Sequence, residues 1–205
     1  MGLVREEGFM DSRPHKVPAG SLTPPQLFSY LTNNSLDQLG DSEEVWPIMY
    51  WAAEGARLYA RSKNCQHRKF YVGCTGHGED ELGQWRLAVG YNSKSDVFER
   101  KCAEMRMFDD ARRIGLQRIT RIFTVGPHQI DDHSGVPSKT LHPCKYCRDL
   151  FRQMLLEPSP IISRETVIMT ALPPEPNGGV SQTYEKYTLG QMLDLHSGNH
   201  HPPKL

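Results

Sequence analysis

Apolar residues recur through the first half of the chain at helical spacing. Val45, Ile48, Met49, Ala52, Ala56 and Tyr59 fall on one stripe of a 3.6-residue period, which predicts a long amphipathic helix. Asp41 and Ser42 suit its N-cap, and Glu43 and Glu44 suit the positive end of its dipole. Pro47 sits awkwardly far inside such a helix and moves the expected start a few residues on. Residues 69–74 then read as a strand, 75–80 as a loop rich in glycine and acids, and 84–89 as a second strand. The two strands suggest a hairpin with a long connection. A helix is expected from about 102 to 114, closed by Gly115, followed by a third strand over 119–125. Residues 126–141 read as a loop and 144–156 as a helix stopped by Glu157-Pro158. A strand over 166–171, a linker over 173–179, a strand over 183–187 and a last helix over 188–195 complete the pattern. Strands alternating with helices predict an α/β layered domain.

Three units follow from this pattern: a proline-containing extension over 1–40 with a short helix near 23–31, a domain over 41–195, and a tail over 196–205. The 205-residue length suits one well-buried domain. Twenty-four Lys+Arg balance twenty-four Asp+Glu, so formal net charge is zero. That balance favours a small-molecule substrate over a long polyanion, and it weighs against nucleic acid as a partner. Arg112, Arg113, Arg118 and Arg121 cluster locally, and a solvated helix face accounts for such a cluster better than a phosphate track. No stretch has the length of a membrane span, and the N-terminus turns acidic before any signal core, so no membrane partner and a cytoplasmic location are expected.

Five cysteines in a chain of this kind point to metal or catalytic use rather than a disulfide framework. Two segments stand out, Cys102-Ala103-Glu104 and Pro143-Cys144-Lys145-Tyr146-Cys147, each where a loop enters an expected helix. Cys144 and Cys147 share one face of a first turn, and the partial positive charge of a helix N-terminus favours thiolate. Cys102, Cys144 and Cys147 together offer Zn2+ three ligands and leave one position open, as catalytic zinc requires. Glu104 then has the place of a proton carrier beside the metal. A structural four-cysteine site adding Cys65 or Cys74 is the rival, but it leaves Glu104 idle and lacks a second tight pair.

The order of these motifs is that of the zinc nucleobase deaminases. The chain resembles the cytidine deaminase superfamily, in particular the free-nucleoside branch with cytidine and blasticidin-S deaminases. Beyond the zinc motifs, the resemblance rests on Phe70-Tyr71-Val72-Gly73, Gly90-Tyr91-Asn92, Pro143 to Arg148, and Tyr187-Thr188-Leu189. It implies a three-layer α-β-α sandwich around a mixed sheet of about five strands. It also implies a hydrolase that releases ammonia from a cytosine-type nucleoside, base or related heterocycle. In it Glu104 would move protons between water, ring nitrogen and leaving ammonia, and Arg148 would draw charge from the thiolates. Substrate contacts are expected from Phe70, Asn92, Ala103 and His142, and a homo-oligomer, dimer or tetramer, is expected. Lys94 stands where that family places a ribose-binding acid, and a cation cannot accept a hydroxyl proton, so either another residue binds the sugar or the substrate is not a plain ribonucleoside. The aromatic tail that reaches a neighbouring subunit is also missing, the end reading Leu195-His196-Ser197-Gly198-Asn199. Tail histidines His196, His200 and His201 read as a solvated terminus. Two other functions compete: deamination of DNA or RNA, and a catalytically inactive deaminase-like binding module.

Overall fold

A computed structural model describes residues 36–63, 69–93, 101–128, 136, 138–174, 181 and 183–197. The expected helix near 23–31, Cys65, Lys94, His200 and His201 lie outside these residues, as does half of the 126–141 loop. Element order is α1 (Leu36–Leu39), a 3-10 turn (Glu43–Val45), α2 (Trp46–Ser62), β1 (Gly73–Asp80), β2 (Trp85–Tyr91), α3 (Ala103–Arg113), β3 (Leu116–Val125), α4 (Lys145–Met154), β4 (Val167–Ala171), β5 (Tyr184–Thr188) and α5 (Leu189–Leu195). Five strands form one sheet in the order β2-β1-β3-β4-β5. The β3–β4 pair is parallel and the other three pairs are antiparallel, so the sheet is mixed.

Two separate apolar clusters cover the two sheet faces. Met49, Tyr50 and Ala53 of α2 pack with Phe123, Val125, Met169 and Ala171 on one face. On the other, Met107 and Phe108 of α3, Phe151 and Met154 of α4, and Leu189 and Met192 of α5 close over Cys74, Ile122 and Ile168. The result is the expected α-β-α sandwich, with each strand alternating its side chains between two buried faces.

Local chemistry explains the boundaries. Pro47 falls in the first turn of α2, where its missing N–H costs nothing, so the helix begins later than Asp41 and Ser42 would place it. Gly115 has φ 78° and ends α3 in the left-handed region. Thr188 and Gln191 form a full capping box at the start of α5.

One element departs from the sequence reading. Residues 75–80, expected as loop, are the body of β1, and the hairpin to β2 is short. The glycines there answer to crowding rather than to turning: a Cβ on Gly76 would meet the Met107 sulfur at 2.4 Å, and one on Gly78 would meet the Arg118 carbonyl at 1.8 Å. Thr75, His77 and Glu79 occupy the alternating positions, so the stretch has strand periodicity hidden by its glycines.

Strand direction places the two metal-motif helices together. β2 and β3 both run antiparallel to β1, so they point the same way. α3 follows β2, α4 follows β3, and both cover the same face. Their N-termini therefore open at one edge of the sheet, beside the start of β1.

Candidate metal centre

Cys102 and Cys144 hold equivalent places, each the N-cap of its helix, with extended backbone at ψ 161° and 167°. Cys147 lies in the first turn of α4 and is fully buried. The Cys102 and Cys144 sulfurs are 3.5 Å apart, and those of Cys144 and Cys147 are 3.6 Å apart. All three sulfurs lie within 4.8 Å of one another. A tetrahedral zinc–thiolate site with bonds of about 2.3 Å has sulfur–sulfur edges of about 3.8 Å. The observed spacing fits that frame, so the donor set suits zinc in both chemistry and size.

The thiols share their protons unequally. Cys144 is pulled down to about 2, first by the Cys102 thiol, then by the Cys147 thiol, with the N–H groups of Cys147 and Tyr146 also facing its sulfur. Cys102 is raised first by its contact with Cys144, and Cys147 first by its contacts with Cys102 and Cys144, with burial adding to both. A cation entering this group replaces those protons.

Glu104 sits at 5% exposure in the first turn of α3, beside the sulfurs but outside the set of ligand atoms. Its carboxyl is raised to about 7, first by burial and next by negative charge at Cys144. Helix-start geometry thus gathers three sulfurs and one carboxyl from two distant sequence segments, as their spacing implies.

The other expected residues divide. Arg148 is buried and donates from Nη1 to the Pro143 carbonyl at 2.6 Å, tying the last loop residue before Cys144 to the helix. Ala103 is buried at the first position of α3. Phe70 is half-buried against the α3–α4 cluster. Asn92 is buried, with Oδ1 accepting from the Val72 N–H and Nδ2 donating to the Phe70 carbonyl, both at 2.8 Å. That side chain clamps the approach to β1. His142 is buried at 4% exposure with both ring nitrogens engaged, Nδ1 with His196 at 3.0 Å and Nε2 with Glu185 at 3.2 Å. It is a member of an internal network, and His196 is its partner rather than part of a solvated tail.

Glu185 escapes a sequence reading, and Cys74 enters it only as a candidate fourth ligand of the rival site. Cys74 is fully buried beneath the site, its thiol raised by burial and by the Glu104 charge, with Thr124 donating to its sulfur. Glu185 gathers donors from the loop before α4. Nothing local marks either one, because only the sheet register brings them close. The arginine cluster is paired throughout: Arg112 with Glu157, Arg113 with Asp110, Arg118 with Glu79, and Arg121 with Asp41. Among the described residues, no helix is long and apolar enough to cross a membrane.

No family model and no curated protein matches the chain. Solved structures with a similar fold include cytidine deaminase from Mycobacterium leprae, 24% identical, covering 72% of this chain and 96% of that one at a TM-score of 0.46. The chain is also similar to cytidine deaminase from Burkholderia pseudomallei, with 18% identity, 69% and 94% coverage and a TM-score of 0.44. Cytidine deaminase from Mycobacterium tuberculosis gives 19% identity, 75% and 97% coverage and a TM-score of 0.47.

Proposed function

We propose that the protein is a zinc-dependent hydrolytic deaminase of a small cytosine-type nucleoside, base or related heterocycle. The observation that carries this reading is a three-sulfur group of tetrahedral size with a buried, non-ligating carboxyl group beside it. Cys102, Cys144 and Cys147 would hold the metal, and a set of three protein donors leaves one position for water or substrate. Zinc held there supplies a Lewis acid that makes water a nucleophile near neutral pH.

Glu104 then has two proton errands. It takes a proton from the attacking water and delivers it to the ring nitrogen, and it passes the second water proton to the departing amine. One C–O bond forms and one C–N bond breaks, so the ring amidine and water become a ring amide and ammonia. No oxidant and no second cofactor is needed. The first N–H groups of a helix have no intrahelical acceptor, and that of Ala103 at the start of α3 suits a carbonyl oxygen on the ring. Phe70 offers an apolar wall for the heterocycle. Asn92 has spent its carbonyl and one N–H on the main chain, which leaves its second Nδ2 hydrogen for a substrate hydroxyl. The four clustered arginines are each paired with an acid, which supports a small substrate over a phosphate track.

The test is metal content together with an ammonia-release screen over cytidine, deoxycytidine, cytosine, adenosine, guanine and single-stranded DNA. One zinc per chain is expected, with release from a small cytosine compound. Glu104→Ala should retain zinc and lower release by roughly a thousandfold or more. A zinc-free protein, or a Glu104→Ala variant as active as its parent, ends the proposal.

A further inference from the structure

The approach to α4 carries no regular structure of its own, yet Cys144 must be held to within a fraction of an ångström. Residues 138–143 run without helix or strand directly into that cysteine. One side chain on β5, an edge strand, makes several of their contacts. Glu185 Oε2 accepts from the Lys139 N–H at 2.9 Å, the Thr140 N–H at 3.0 Å and the Thr140 hydroxyl at 2.7 Å. It also bonds His142 Nε2 at 3.2 Å, and its other oxygen accepts from the Tyr187 hydroxyl at 3.0 Å. The Thr140 hydroxyl has one proton, spent on the carboxylate, so Thr170 donates to Thr140 across their 2.6 Å contact. Thr170 lies opposite Glu185 in the β4–β5 register. Sheet, loop and metal helix are thus joined by one buried carboxylate, with Arg148 gripping Pro143 from the helix side.

We propose that Glu185 is a positioning residue for the metal centre, holding residues 139–142 so that Cys144 meets Cys102 and Cys147. The inference rests on the zinc reading, and it goes beyond it because Glu185 touches neither sulfur nor substrate. Removing its side chain takes an acceptor from two N–H groups, two hydroxyls and an imidazole, and the segment relaxes away from the position the three sulfurs require. Remote supports of this kind are worth roughly 10- to 100-fold in metal affinity.

The full chain is loaded with zinc, and its affinity is measured by competition with a chromophoric chelator, alongside the Co(II) absorption spectrum and unfolding of the metal-free protein. Glu185→Ala should bind zinc about tenfold more weakly and show altered thiolate–cobalt bands. Glu185→Gln keeps an acceptor oxygen and should recover most of the affinity. Lys186→Ala, which removes an exposed pair with Glu43 from the other face of the same strand, should leave the affinity unchanged. If Glu185→Ala fails to fold, Thr140→Val carries the test, with about a threefold loss expected from one missing hydroxyl. Zinc affinity and cobalt bands equal to wild type in Glu185→Ala, or in Thr140→Val where that variant stands in for it, overturn the inference while sparing the deaminase reading, because a purely structural glutamate lowers metal-free stability alone. A wild-type chain that binds no zinc removes the premise and the inference with it.

Discussion

A cysteine at a helix N-cap puts its sulfur where a serine or aspartate would normally bind the first N–H groups. Cys102 and Cys144 both do this, and their extended backbones turn each sulfur back over its own helix start. The motif spacing therefore made the nearness of these sulfurs readable, along with Cys147 one turn on and Glu104 beside them. Cys74 could not be read in the same way, because its nearness to Glu104 depends on how β1 aligns with its neighbours. The two kinds of cysteine should behave differently. Cys144→Ala should lose the bound zinc. Cys74→Ala should keep one zinc per chain and cost on the order of 1 kcal/mol of stability for the lost packing. Mass spectrometry after brief alkylation should also find Cys74 unmodified, since its thiol is buried and held above its ordinary value by that burial. Loss of zinc from Cys74→Ala would move that residue into the metal set.

Elements were legible where one face was apolar and the ends were punctuated. α2, α3 and α4 carry helical stripes, and Pro47, Gly115 and Pro158 mark their limits. β1 was half concealed because its glycines serve close packing against α3 and β3, a tertiary demand that reads locally as loop. Gly90 on β2 makes the same kind of demand at the metal helix. A Cβ there would stand 2.2 Å from the Ala103 carbonyl and 2.3 Å from the Met107 nitrogen, both main-chain atoms that cannot swing aside. Gly90→Ala must lift the first turns of α3, and with them Cys102. It should cost about 2–3 kcal/mol in urea unfolding and weaken zinc binding at the same time. Gly83→Ala separates the two effects. Its φ of 73° makes alanine strained by about 1 kcal/mol, but nothing lies within 4 Å, so zinc affinity should not change. Equal zinc affinity in both variants would show that α3 tolerates displacement without moving its cysteine.

For the molecule as a whole, the face of the sheet opposite the three sulfurs carries a polar strain that neither composition nor net charge reveals. His77 has no exposed surface, stacks on Trp85 at 4.7 Å, and neither ring nitrogen has a hydrogen-bond partner. Arg121 lies opposite it on β3, its charge turned to Asp41 and its guanidinium over Trp46. Burial lowers the His77 pKa to about 4, so the folded protein holds a neutral ring where the unfolded chain holds an imidazolium. Between the unfolded value of about 6.5 and the folded one, the unfolded state binds more protons, and stability must fall as pH falls. Above that window the ring is neutral in both states and contributes nothing to the pH dependence. By linkage the penalty reaches about 2 kcal/mol at pH 5. His77→Phe keeps the stack on Trp85 and removes the titration. Urea unfolding of the metal-free protein at pH 7 and pH 5 should then show a variant no less stable than wild type at pH 7 and about 2 kcal/mol more stable, relative to that, at pH 5. Carboxylates held low by their partners, Glu185 among them, lose their own contribution only toward more acidic pH and are common to both proteins, so the difference isolates the imidazole. Parallel pH dependences in the two proteins would mean that the ring finds a proton acceptor inside the fold.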